Sequence, residues 1–322
     1  MDLQPSPPPR DLHWIFQGPN GLRAGWSLVL YASILVVLYL AAAFLFGAWL
    51  GPAPSGRLPP LRGLLGESLL FLIALFATLV MSRIERRPLL AYGFRDRALA
   101  IRLVSGLLWG FAAISVLIVA LSKLGYLALD RTSLSSAAAL KDAALWAVMF
   151  LLTGFTEEAA FRGYPQFTLT RGLGFWCGAL LVAAVFGFTH GYNPGESPIG
   201  LVSVVAISLI FCLSLWYTGS LWWAVGFHAS WDWGQSFFYG TADSGMVAQG
   251  HLLTSHPLGP ILWSGGSTGP EGSVLILPLL LIITAGMFLW WGRRVRSPFV
   301  GAAWRPLTPS SHPLSDPSCS SL

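Results

Sequence analysis

Charge is scarce in this sequence. Asp, Glu, Lys and Arg make up 10% of the residues, against roughly 25% in an ordinary soluble domain. That shortage excludes a soluble enzyme with a solvated surface. The formal net charge of +5 does not signal a nucleic-acid partner either. It comes mostly from arginines clustered between apolar runs, which is the signature of membrane topology. Cysteine is rare: Cys177 and Cys212 sit in apolar runs and Cys319 near the end. No spacing among them suits a disulfide framework or a zinc knuckle. A cleavable leader is not expected, because the polar, proline-rich residues 1–23 precede an apolar run, 26–50, too long for a signal-peptide core.

Hydrophobic residues are abundant instead, at 54%, with a mean hydropathy of +0.64. Apolar runs at 26–50, 64–82, 103–122, from about 143 into a glutamate motif, and at 175–190, 199–215, 221–239 and 274–291 are each read as a span. The expected fold is an all-α polytopic membrane protein, a bundle of about eight transmembrane helices. Residues 1–24 form a disordered arm, 25–296 the membrane domain with its motif core at 143–240, and 297–322 a disordered, Pro/Ser-rich tail. Residues 83–102 carry six arginines, and Leu89, Leu90 and Phe94 there suggest a short interfacial helix. With both termini on the cytoplasmic side, inside segments hold 14 of the 19 Lys and Arg. The expected location is therefore the plasma (inner) membrane of a bacterium, N-in and C-in, with the lipid bilayer as surroundings.

Ionisable groups inside such spans cost roughly 2.5–3.5 kcal/mol each and mark protein-enclosed sites. Glu157, Glu158 and Arg162 lie in the fourth run. Glu158 and Arg162 are four apart with the acid first, the favourable order for a pair on one helix face. Glu157 lies about 100° round the helix and is left free to act. Pro165 is expected to kink or end this helix. His190 closes the fifth run, and His228 and Asp232, at i and i+4, stack on one face of the seventh. If the fourth and fifth runs form a hairpin near Gly172 and Gly174, Glu157 and His190 lie at matching depths of about 25 Å. A glutamate can take a proton from water, and histidines can stabilise an oxyanion or bind a metal. Glu157, His190, His228 and Asp232 are candidate ligands for one Zn2+, since imidazole and carboxylate both suit that ion. Asp232 favours the metal, and a metal-free mechanism stays open beside it.

At these residues the chain resembles the intramembrane CPBP proteases, the CAAX-processing and bacteriocin-processing (Abi) family. Glu157-Glu158-Ala159-Ala160-Phe161-Arg162 matches its Glu-Glu-x-x-x-Arg motif, Phe186 to His190 its Phe-x-x-x-His motif, and His228 to Asp232 its His-x-x-x-Asn/Asp motif. The resemblance covers about 89–239. It implies an eight-helix intramembrane (metallo)endopeptidase, related to enzymes that trim prenylated proteins, with a membrane-associated protein or peptide as substrate. It also implies that Glu157 is the general base, with His190 and His228 around the reacting carbonyl. Asp232 stands where the prenyl-protein enzymes often have asparagine. Two other classes compete: a proton- or ion-coupled transporter, which would use the same buried groups as a relay, and a catalytically silent immunity or scaffold protein. The transporter reading lacks the paired halves with matching broken helices that such folds often show.

Overall fold

The apolar runs fold into eight long helices in a computed structural model that describes residues 13–18, 21–50, 57–132 and 135–300. The prolines of the arm (Pro5, Pro7, Pro8 and Pro9), the tail beyond residue 300 and Cys319 lie outside the described residues. In chain order the helices are α1 (Ala24–Leu50), α2 (Pro60–Ile84), α3 (Leu99–Lys123), α4 (Ser136–Leu173), α5 (Phe175–His190), α6 (Pro198–Thr218), α7 (Trp222–Trp233) and α8 (Ile276–Gly292). Five of them (α1 to α4 and α6) are long and apolar enough to cross a membrane by themselves, and the shorter ones complete an all-α membrane bundle.

Their ends follow from local chemistry. The Ser135 hydroxyl accepts from the amide of Ala138 and caps α4. Ser197 does the same for α6 through Gly200, with Pro198 pre-set in the first turn. Gly219, at φ 66°, supplies the left-handed residue that terminates α6.

The core is organised around α7. Trp223, Ala224, Val225, Phe227 and Ala229 of this helix are all at most 4% exposed. It lies against α3 almost backbone to backbone, because Gly106 and Gly110 face it. A Cβ added at Gly106 would come within 2.2 Å of the Trp223 carbonyl oxygen, and one at Gly110 within 2.2 Å of that of Phe227. Small residues one turn apart permit this approach inside a bilayer, where packing rather than the hydrophobic effect joins helices. The helix that carries His228 and Asp232 is thus gripped on one side by glycine-mediated contact. On the other, Ile210, Phe211, Ile276, Leu280 and Ile283 from α6 and α8 close the main apolar cluster.

The connections gather at two ends. At one end, residues 85–98, 219–221 and 297–299 meet, with the Leu221 amide donating to the Gly93 carbonyl at 2.9 Å. At the other end the long 239–275 segment is tied to its neighbours. Its Leu253–Pro257 strand pairs antiparallel with Leu127–Arg131, and its Val247–Ala248 pairs parallel with Arg57–Leu58.

Two sequence expectations need correction here. The fourth run is read from about 143, but α4 begins at Ser136, preceded by a Leu127–Arg131 strand. Leu89–Ala91 forms only a single 3₁₀ turn. Tyr92 and Phe94 beyond it point inward, at 2% and 9% exposure, so this segment packs on the bundle and is not an amphipathic surface helix.

Candidate active site

Helix α4 changes its winding where the acidic motif lies. Ser136–Glu157 is α-helical, Glu158–Gly163 is a π-segment, and α-helix resumes at Tyr164. Such bulges concentrate at functional sites, because one extra residue in the turn re-aims the side chains around it. The break expected at Pro165 therefore begins earlier, at Glu158. Pro165 itself sits in the first turn of the resumed helix, where its missing N–H costs nothing. Gly163 absorbs the mismatch with a ψ of −113°.

The two glutamates part company at this junction. Glu158 is fully buried, and its Oε1 accepts from Arg162 Nη1 at 3.0 Å, so the pair expected from the i,i+4 spacing forms. Arg162 is also fully buried, and its Nε and Nη2 find no hydrogen-bond acceptor. Aromatic faces take their place. The guanidinium lies 4.1 Å from the Phe186 ring centroid and 5.5 Å from that of Phe211, an attraction that strengthens in a desolvated site. Glu157 has no such partner and keeps 29% of its side chain exposed, facing a cavity of 930 Å³.

His228 of α7 sits among the carboxylates. Its Nδ1 lies 3.2 Å from Glu158 Oε1, and its Nε2 lies 3.6 Å from Glu157 Oε2 and 3.5 Å from Asp232 Oδ2. The ring is stacked on Phe211, with centroids 5.6 Å apart. Each ring nitrogen thus has an anionic acceptor nearby. His190 lies on the same cavity wall but engages elsewhere, with Nδ1 2.8 Å from the Phe186 carbonyl oxygen. A carbonyl only accepts, so Nδ1 carries the hydrogen, and in the neutral ring Nε2 holds the free lone pair. Phe186 therefore serves both histidine and arginine, holding His190 through its backbone and Arg162 through its ring.

The structure brings together Glu157, Glu158, Arg162, His228 and Asp232, and sets His190 on the shared wall. Among the described residues no three His, Cys, Asp or Glu side chains are arranged to hold one metal ion. Three of the four candidate zinc ligands, Glu157, His228 and Asp232, lie together, with His228 Nε2 turned to both carboxylates, but no close contact joins His190 to them. As arranged, the donor set does not fit zinc, and no chemical step is derived through it.

Several wall residues were not singled out as site residues by sequence reasoning. One is Glu67, in the first turns of α2. It is 9% exposed, lines the cavity, and has no partner for Oε1. Asp243 and Glu271 come from the 239–275 segment and line the cavity as well. Burial, with Asp232 and Glu271 nearby, pushes the Asp243 carboxyl well above the usual carboxylate range. The His251 side chain hydrogen-bonds the Ala248 carbonyl and Thr254, a loop role away from this wall.

No curated protein matches the chain. Residues 139–234 match the family model described as type II CAAX prenyl endopeptidase Rce1-like, which holds all three motifs and the π-segment and is the CPBP-type family that those motifs resemble.

Proposed function

We propose that the protein is an intramembrane endopeptidase that hydrolyses a peptide bond of a membrane-associated protein or peptide with water activated by Glu157. The observation that carries this reading is the division of the acidic pair: Glu158 is occupied by Arg162, whereas Glu157 faces the cavity beside His228. In the proposed step the Glu157 carboxylate takes a proton from water as the water oxygen bonds to the scissile carbonyl carbon. The carbonyl oxygen becomes an oxyanion, and the Nε2–H of a His228 ring protonated at both nitrogens, its Nδ1–H held by Glu158, supplies the hydrogen bond that stabilises it, as His190 Nε2–H does when that ring is protonated. The C–N bond then breaks, and the proton held by Glu157 passes to the departing amine. Glu158 acts indirectly: anchored by Arg162, it accepts from His228 Nδ1 and leaves Nε2 aimed at Glu157 and Asp232. Asp232 helps hold that orientation.

Glu157→Gln tests the reading. Glutamine keeps the shape but cannot accept the proton, so cleavage of a membrane-inserted peptide in detergent should fall by at least about 100-fold with the melting temperature unchanged. Wild-type enzyme, exhaustively chelated and shown by elemental analysis to be zinc-free, should retain its activity. Retained cleavage in Glu157→Gln would overturn the role of this glutamate, and loss of cleavage on chelation, restored by zinc, would overturn the metal-free step.

A further inference from the structure

The cavity is electrostatically one-sided. Its wall includes Glu67, Glu157, Asp232, Asp243 and Glu271 but no lysine or arginine. Acids that do not line it, such as Glu85, Asp96 and Glu158, pair with Arg171, Arg102 and Arg162. Of the wall acids, Glu157 and Asp232 lie by His228, and Glu271 and Asp243 are held by neutral donors. Trp231 Nε1–H donates to Glu271 Oε1 at 2.8 Å, Ser244 to Glu271 Oε2 at 3.2 Å, and Ser236 to Asp243 Oδ2 at 3.0 Å. Asp232 lies within electrostatic reach of Glu67, Glu157 and Glu271, and Asp243 within reach of Asp232 and Glu271, with His228 the opposing charge on both, so the five acids outnumber it in one shared field.

A cluster of acids alone does not make a site. The independent observation is Glu67, on a different helix and 9% exposed, whose Oε1 lines the same cavity without a hydrogen bond among the described residues, the hydroxyls of Thr153 and Thr156 near it donating to the Met149 and Leu152 carbonyls. A buried acceptor without a partner carries its desolvation penalty uncompensated. A cation from outside the chain would relieve it. The acids do not converge as ligands of one metal ion. Apolar side chains share the lining, among them Leu35, Val36, Leu70, Ile73, Phe161 and Phe186. The occupant must therefore present a positive charge and apolar surface together.

We infer that the carboxylate wall is a subsite for an arginine or lysine side chain of the substrate, so that the enzyme takes apolar peptide segments bearing a basic residue beside the scissile bond. This deepens, and rests on, the hydrolytic reading of the same cavity. Asp243 and Glu271 receive the cation at the end of the bundle closed by the 239–275 segment, and Glu67 receives it deeper. The apolar lining accommodates the flanking side chains, and the backbone between them lies over Glu157 and His228.

The test separates binding from cleavage. Full-length Glu157→Gln protein in detergent is titrated with a labelled Leu-Leu-Arg-Leu-Leu peptide, with its twin carrying neutral citrulline, and with one carrying glutamate. The arginine peptide should bind about tenfold or more tightly than the citrulline twin, as a charge-assisted contact requires, and the glutamate peptide most weakly. In Asp243→Asn/Glu271→Gln, added to the same background, the arginine-to-citrulline ratio should fall toward one. Equal affinity for the arginine and citrulline peptides would overturn the inference, as would an unchanged ratio in a folded double variant. If the double variant does not fold, the glutamate peptide decides, and binding as tight as that of the citrulline twin overturns it. Discrimination without cleavage by the wild-type enzyme would refute the hydrolytic reading and leave the subsite standing. Cleavage without discrimination would do the reverse.

Discussion

Glu157 and Glu158 are adjacent and chemically alike, and their surroundings alone divide them. One faces a cavity. The other is sealed with Arg162, whose remaining donors meet aromatic faces instead of acceptors. Arg162→Ala should therefore destabilise the protein by about 3–5 kcal/mol, the cost of leaving a buried charge alone. Thermal unfolding in detergent should show the loss, whereas Glu157→Gln should leave the melting temperature in place. Equal losses in the two variants would refute the division. The pairing of Glu158 with Arg162 could be read from spacing because i,i+4 geometry is local. The aromatic faces could not: Phe211 lies on α6, and nothing in a single sequence says which ring meets which cation. Phe186 was visible as part of a motif, but its two tasks appear only when its ring and its carbonyl are located in space.

At the scale of elements, the hydrophobic runs were legible because a bilayer demands long apolar helices. The exceptions are physical. The Leu127–Arg131 strand pairs with Leu253–Pro257 across a long loop, a contact that no local pattern encodes. The π-segment at Glu158–Gly163 leaves no compositional trace, since its residues would serve equally in an α-turn. The α3–α7 contact gives the sharpest prediction at this scale. Gly106→Ala would place a methyl group 2.2 Å from a backbone oxygen of α7, and such overpacking typically costs about 1–3 kcal/mol. Because α7 carries His228 and Asp232, activity should fall more than stability, by about 100-fold for a displacement near 1 Å. Gly66→Ala on α2, where an added Cβ meets nothing within 4 Å, is the control and should be neutral or slightly stabilising. Equal behaviour of the two variants would show that the close approach does not position the site.

For the whole molecule, the two ends of the bundle differ in charge as well as in structure. The arginine-rich connections of 83–102 and 293–296 belong to one end, and the 239–275 segment, without a lysine or arginine, closes the other. Basic loops stay in the cytoplasm. Reporters fused after Arg97 and after Arg294 should accordingly be cytoplasmic, and one inserted after Gly265 should lie outside. A cytoplasmic reporter at Gly265 would reverse the orientation. The cavity, walled in part by Asp243 and Glu271 of that segment, would then open toward the opposite compartment. The sequence could rank the two orientations by charge, but it held no sign of where the chamber lies, because its walls come from distant stretches of chain.

Helix α1 is one of those walls, through Leu35, Val36 and Tyr39. Among its described side chains only Ser27 and Tyr31 are buried, Tyr31 through its stacking on Tyr164, with ring centroids 4.7 Å apart. Beside that anchor Ile34 and Leu35 are partly buried, but Val36 and Tyr39 are each 55% exposed, so in a bilayer the surrounding hydrocarbon would complete the enclosure. The amphiphile chosen to extract the protein would thus become a building material of the cavity, and changing its chain length would rebuild one side of the room that Glu157 faces.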